Sequence, residues 1–283
     1  MAATFLRSTI GLIAAAGIWL LSLPGTAPAG ATEGPFRSAA SAQDAALHGQ
    51  GCDVPTSFYD TEPTLPKTAE AIANGQTVAI VALGSASTLG RAAGGTDFAW
   101  PARLAVALRS RFPAARVTVD NRAVAQQTSQ EMVALLDSTV IALKPTLVIW
   151  ETGTTDAVHS TDLDEFRQAI QDGIDRLRTA EVEVVMMDMQ FSRRTHAVIN
   201  FERYESVLRE ITNANNIPLF RRHDIMYHWA ESGLFDLMTE DHAKLHLVAS
   251  RLYDCIGQAM ADFITRGAHH GVSTPAVSSG SNK

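Results

Sequence analysis

Two hydroxyls, one imidazole and one carboxylate are the groups in this chain whose types and placement could support acyl transfer. Ser85 and Ser87 flank Ala86 in the stretch Gly84-Ser85-Ala86-Ser87-Thr88-Leu89-Gly90, directly after the apolar run Thr77–Leu83. His246 stands in Ala243-Lys244-Leu245-His246-Leu247, with Asp241 upstream of it. Acyl transfer needs an activated hydroxyl, a base held in one orientation, and donors aimed at the developing oxyanion. Two further polar stretches, Asn121-Arg122-Ala123-Val124-Ala125-Gln126 and Gly153-Thr154-Thr155-Asp156, also follow apolar runs. An apolar run that ends in a small-residue loop is where open α/β sheets place their chemistry.

In spacing these four blocks resemble the SGNH (GDSL) hydrolases over about residues 52 to 264. That family shows Gly-Asp-Ser-x-Thr-x-Gly, Asn-x-Gly-x-x-Gly, Gly-x-Asn-Asp and Asp-x-x-His. The resemblance implies a three-layer fold and ester hydrolysis by a serine, a histidine held by an aspartate, and an oxyanion hole of serine amide, glycine and asparagine. At the matching positions this chain carries Ala86 for the nucleophile, Gln126 for the oxyanion glycine, Thr155 for the asparagine and Ala243 for the orienting aspartate, while His246 is kept. Thr155 can donate a hydroxyl hydrogen bond, though with shorter reach than an amide. A side chain at Gln126 disfavours any positive φ that glycine would allow. Two readings follow. In the first the site is degenerate, and Ala86, Gln126 and Thr155 line a site that binds an acylated glycan or an envelope polysaccharide partner. In the second the loop turns so that Ser85 or Ser87 reaches His246, with Asp241 as orienter, and the protein is an active acyl or acetyl esterase. Against the second, serines in such loops commonly satisfy backbone groups.

The elements that must position these residues follow from the pattern of apolar runs. Short β-branched runs recur at Val78–Leu83, Val117–Val119, Leu147–Trp150, Val182–Met187 and Ile217–Phe220. Between and after them lie segments of helical period: Pro101–Phe112, Ser129–Leu143, Leu163–Ala180, Asn200–Asn213, His223–Ser232 and Leu247–Ile264. Pro101 suits a first helical turn, and Asp162 is placed to cap the stripe Phe166, Ile170, Ile174 and Leu177. This alternation predicts an α/β domain, three-layer αβα, with a central parallel sheet of about five strands in the order the resemblance implies, flavodoxin-like. Right-handed crossovers then bring the loops after Leu83, Asn121 and Trp150 to one sheet edge, where His246 is expected to meet them.

The chain begins with one positive charge, Arg7, and an apolar stretch from Ile10 to Leu23 that ends in Ala27-Pro28-Ala29-Gly30-Ala31. A short apolar core with an A-x-A-like end predicts a secretory signal peptide over residues 1–31, too short for a bilayer span. Residues 32–75 read as a leader, 76–266 as the domain and 267–283 as a disordered tail. The expected location is the periplasm or the exterior. The formal charge of -7 becomes -8 once Arg7 is removed, which disfavours nucleic acid and anionic membranes as partners and leaves a small-molecule or glycan ester. In an oxidising compartment Cys52 and Cys255 can form one disulfide, the other reading being two buried thiols. No cofactor and no metal are expected, since the two imidazoles of Asp241-His242-x-x-x-His246 lack an evident third ligand and a capped helix start explains the pattern as well. The pairs Arg193-Arg194 and Arg221-Arg222 read as solvated charge, and Met186-Met187-Asp188-Met189 as a strand passing into a loop.

Overall fold

The computed structural model describes residues 51–59, 64–192, 199–237 and 241–272. The expected signal peptide, the leader as far as residue 50, the Arg193-Arg194 pair and the tail beyond 272 lie outside the described residues.

Five strands, β1 (Thr77–Leu83), β2 (Arg116–Asn121), β3 (Leu147–Glu151), β4 (Glu183–Met187) and β5 (Leu219–Phe220), form an all-parallel sheet in the order β2-β1-β3-β4-β5. This is the three-layer, flavodoxin-like arrangement the sequence predicts. β5 is shorter than the apolar run Ile217–Phe220 because Pro218 has no N–H to give the ladder; its carbonyl still accepts the Met186 amide at 2.9 Å.

Alternation along the strands divides the core in two. Val78, Ile80 and Ala82 of β1, with Leu147 and Ile149 of β3, pack on one face with Leu104 of helix α2 (Trp100–Arg111), Trp229 and Ile256. Val81, Leu83, Val148 and Trp150 face the other way, against Met132 of α3 (Ser129–Thr139) and Ile170 of α5 (Leu163–Thr179). Asp162 caps α5 as expected, accepting the amides of Asp164 and Glu165 at 2.9 and 3.2 Å.

Helix α1 (Pro66–Ala73) falls within the stretch read as leader. Proline suits its first turn, and the amides of Lys67 and Thr68 donate to the carboxylate of Glu183 on β4 at 2.6 and 2.9 Å, so a residue distant in sequence caps it. A short helix, α4 (Thr154–His159), follows β3. Helices α6 (Phe201–Asn215), α7 (Arg222–Glu231) and α8 (His242–Val272) complete the layers. α8 begins before His246 and runs past Gly267. A disulfide joins Cys52 to Cys255 on α8, with Cα atoms 5.2 Å apart. Among the described residues no helix is long and apolar enough to cross a membrane.

Candidate functional site

The sheet reverses direction of growth between β1 and β3, and the loop Gly84–Gly90 leaves β1 at that switch point. Glu151, the last residue of β3 and 1 % exposed, organises the loop. Its Oε2 accepts the amide of Ser85 at 3.1 Å, the hydroxyl of Ser87 at 3.0 Å and the hydroxyl of Thr88 at 2.8 Å. Gly84 is required beneath this contact, since a Cβ there would lie 2.4 Å from Thr88 Oγ1 and 2.8 Å from Glu151 Oε2. From β2, Asn121 Nδ2 donates to the Thr88 carbonyl at 2.7 Å, and Trp100 Nε1 donates to Thr88 Oγ1 at 3.3 Å.

Arg222 reaches the same loop from the start of α7. Its Nη1 donates to Ser87 Oγ at 3.2 Å and its Nη2 to Gln190 Oε1 at 3.3 Å. This corrects the reading of Arg221-Arg222 as solvated charge. Arg221 is partly exposed and pairs with Asp224, whereas Arg222 is 2 % exposed. Burial of a guanidinium is tolerated where donors find acceptors and a carboxylate lies close by. Here Ser87 bridges the guanidinium to Glu151, so its hydroxyl is engaged at both proton and lone pair.

Ala86 is partly exposed between these tethered neighbours, and its carbonyl accepts the Arg91 amide at 3.3 Å. His246 is not in a loop before the last helix, as expected, but within the first turns of α8, on an exposed face. Asp241 stands just before that helix: its carbonyl accepts the Leu245 amide at 2.8 Å and its Oδ1 the Lys244 amide at 3.5 Å, a helix-start role. No hydrogen bond joins His246 to Asp241, Ser85 or Ser87 among the described residues. The ring of His246 instead lies over Gly94 (φ +98), where a Cβ would come 2.8 Å from its Cε1. The side chains of His242 and Ala243 lie outside the described residues.

His246 lines a groove of about 430 Å³ whose walls include Arg91, Gln190, Phe191, Met226, Leu252 and Tyr253. Its sides come from the loops after β1 and β4 and from α7 and α8. Neither Gln126, from the loop after Asn121, nor Thr155, from the loop after Trp150, is among the residues that line this groove. Gln190 belongs both to the groove and to the buried Arg222 contact. Tyr253, whose phenol burial pushes up and Arg222 pulls down, places the groove floor beside the same network.

The two remaining blocks make contacts within the fold. Gln126 adopts φ +66 although it is not glycine. It is the third residue of the turn Val124–Gln127, the position where a type II turn calls for a positive φ. The loop is fixed at both ends, Arg122 donating to the Ala82 carbonyl at 2.8 Å and Thr128 capping α3, so the backbone keeps the conformation despite the side chain. Gln126→Gly is expected to stabilise the domain by up to about 1 kcal/mol, seen as a higher urea midpoint at unchanged m; a lower midpoint would contradict this account of the turn. Thr155 is buried on α4, and its neighbour Asp156 accepts the Ser129 amide and hydroxyl at 3.0 and 2.8 Å. Burial raises the Asp156 carboxyl above its ordinary value while the Ser129 bonds oppose the shift.

Glu151 carries no motif, while Arg222 and Asp188 lie in stretches whose local pattern reads as solvated charge and as a strand passing into a loop. The available signals were slight: an acid ending the apolar run Leu147–Trp150, and an aspartate inside a run of methionines.

A parallel sheet in this order, with a small-residue loop at its switch point and a histidine on the last helix beside it, is the three-layer architecture of SGNH hydrolase-like proteins. Residues 51–270 match the non-GDSL lipase-like family, and the chain belongs to that family. Among solved structures, a two-domain esterase active on acetylated mannans shares 18% identity at a TM-score of 0.56, over 75% of this chain and 57% of that one. This chain thus spans little more than half of that two-domain protein. An acetyl-xylooligosaccharide esterase from Geobacillus shares 18% identity at a TM-score of 0.50, over 67% of this chain and 93% of its own. At such identities the likeness is one of fold. A search of curated proteins finds no significant match.

Proposed function

We propose that this is an exported SGNH hydrolase-like protein that has lost the family's hydrolytic chemistry and acts by binding an acylated glycan in the groove beside His246. The observation that carries the reading is the fate of the hydroxyls. The residue at the nucleophile position is Ala86, and the Ser87 hydroxyl is held between Glu151 and Arg222 rather than by an imidazole. Among the described residues no hydrogen bond joins His246 to a carboxylate that would fix its orientation, the role the aspartate plays in a triad. An activated serine must be held within about 0.5 Å of its productive place, and no such arrangement surrounds Ser85 or Ser87. The groove offers apolar walls with a few polar groups, the common make-up of a small-molecule site. The structural neighbours named above act on acetylated mannan and acetylated xylo-oligosaccharides, which supports an acetylated glycan as the ligand class. The net charge of -7 argues against polyanions.

The test compares the mature protein with Ser85→Ala, Ser87→Ala and His246→Ala on a short-chain aryl ester. All four are expected to match the uncatalysed background. In parallel, acetylated manno- or xylo-oligosaccharide at a hundredfold its Kd is expected to stabilise the protein by about 2.7 kcal/mol, a rise of roughly 5 to 10 °C in Tm. A rate well above background that both a serine change and the histidine change abolish would establish the esterase reading instead. No rise in Tm with any acylated glycan would remove the binding role.

A further inference from the structure

We propose that the cluster of buried Asp188 and Glu205 with half-buried His223 and Asp224 is an acid-tightened latch that sets the order of the groove wall formed by Gln190 and Phe191. Asp188 follows β4 and leads directly into that wall. It is 1 % exposed, its Oδ1 accepts the His223 amide at 2.9 Å, and its Oδ2 is buried with no hydrogen-bond partner. The His223 side chain stands between two further acids, its Nδ1 3.4 Å from Glu205 Oε1 and 3.5 Å from Asp224 Oδ1. The Phe191 ring meets the His223 ring edge to face at 5.4 Å and the Tyr227 ring at 5.2 Å. A change of charge at His223 or Asp188 therefore acts on the residue that lines the groove.

Among the described residues two further cations face the cluster. From α6, Arg209 lies 3.5 Å from Glu205 and 3.9 Å from Asp224; from the start of α7, Arg221 Nε donates to Asp224 at 2.7 Å. Arg222 is committed to Ser87 and Gln190 on the other side. No cation in this set pairs with Asp188.

Burial, with the nearby charges of Glu205 and Asp224, pushes the Asp188 carboxyl up to about 7, against the pull of the His223 amide. Burial alone would lower His223, but the Asp224 hydrogen bond and the charges of Glu205 and Asp188 outweigh it and raise the imidazole. Both groups are thus raised in the fold. Their contribution to local stability is present in acid and is lost as pH rises, through about 7 for Asp188 and above 6.5 for His223. Asp224 is lowered, with the His223 hydrogen bond the largest cause, and has the opposite sign; its change falls below the usual carboxylate range and outside this window. Above neutrality an ionised Asp188 sits unpaired among acids, and the turn from β4 into Phe191 loosens. Below it the cluster gains protons and the wall is ordered.

That the ordered wall favours ligand rests on the groove being the binding site. The latch is tested without ligand. Amide exchange of residues 186–192, corrected for intrinsic rates, is compared at pH 5.5 and pH 8 in the mature protein and in Asp188→Asn, which keeps the carbonyl acceptor for the His223 amide. The mature protein is expected to be protected about tenfold or more at the lower pH, and the variant to keep only the smaller difference that His223 still carries. Should the variant fail to fold, an NMR titration of His223 in the mature protein decides. A midpoint above the ordinary imidazole value, with Phe191 ring signals moving in step, supports the latch. Equal protection at both pH values, an unchanged pH dependence in Asp188→Asn, or Phe191 signals that ignore the titration would overturn it. Failure of glycan binding at one fixed pH would leave these results standing.

Discussion

Glu151→Ala is expected to destabilise the domain by about 3 to 5 kcal/mol, the loss seen when one side of a buried, hydrogen-bonded charge arrangement is removed. The expectation follows from what the carboxylate holds. The Ser85 amide and the Ser87 and Thr88 hydroxyls would lose their shared acceptor in a dry environment, and Arg222 would lose the anion nearest to it through Ser87. Glu151→Gln keeps one acceptor oxygen and no charge, so it should cost roughly half as much. Urea unfolding followed by circular dichroism measures both. A loss below about 1 kcal/mol for the alanine variant would mean that water replaces the carboxylate, and that the loop is not held as described.

Removing the disulfide is expected to cost about 2 to 5 kcal/mol. Cys52 and Cys255 are separated by 203 residues, so the bridge closes a loop spanning nearly the whole domain and restricts the unfolded chain strongly. In the fold it fastens a short strap that side-chain contacts also hold, among them buried Tyr59 against Phe263. Trp229 Nε1 donates to the Asp53 carbonyl at 3.1 Å, and Phe58 packs on His228 with ring centroids 5.8 Å apart. Unfolding with and without reductant, checked against the Cys52→Ser, Cys255→Ser double variant, measures the effect. A difference under about 1 kcal/mol would show that those ties suffice without the bridge.

These two expectations rest on contacts of unlike legibility. Cys52 and Cys255 could be paired from the sequence because a chain with two cysteines offers each a single intramolecular partner. Glu151 is not legible in this way, since a lone acid at the end of Leu147–Trp150 has the same local pattern whether it meets solvent or three donors.

The sequence by itself determined whatever depends on local period and on residue identity. Alternating β-branched runs and helical stripes set a parallel α/β sheet, because burial on both faces demands near-continuous apolar strands. Identity settled that Ala86 has no hydroxyl and that Ala243 has no carboxylate. Tertiary structure decided which groups meet. Glu151 reaches Ser85 and Thr88 across 66 and 63 positions, Arg222 reaches Ser87 across 135, and Glu183 caps α1 across 115 and 116. It also turned His246 onto a helix face beside Gly94 and buried Asp188 against His223. The physical reason is that periodicity reports how buried a position is, whereas a hydrogen bond needs two groups within about 3 Å, and only strand register and crossover geometry bring distant residues that close.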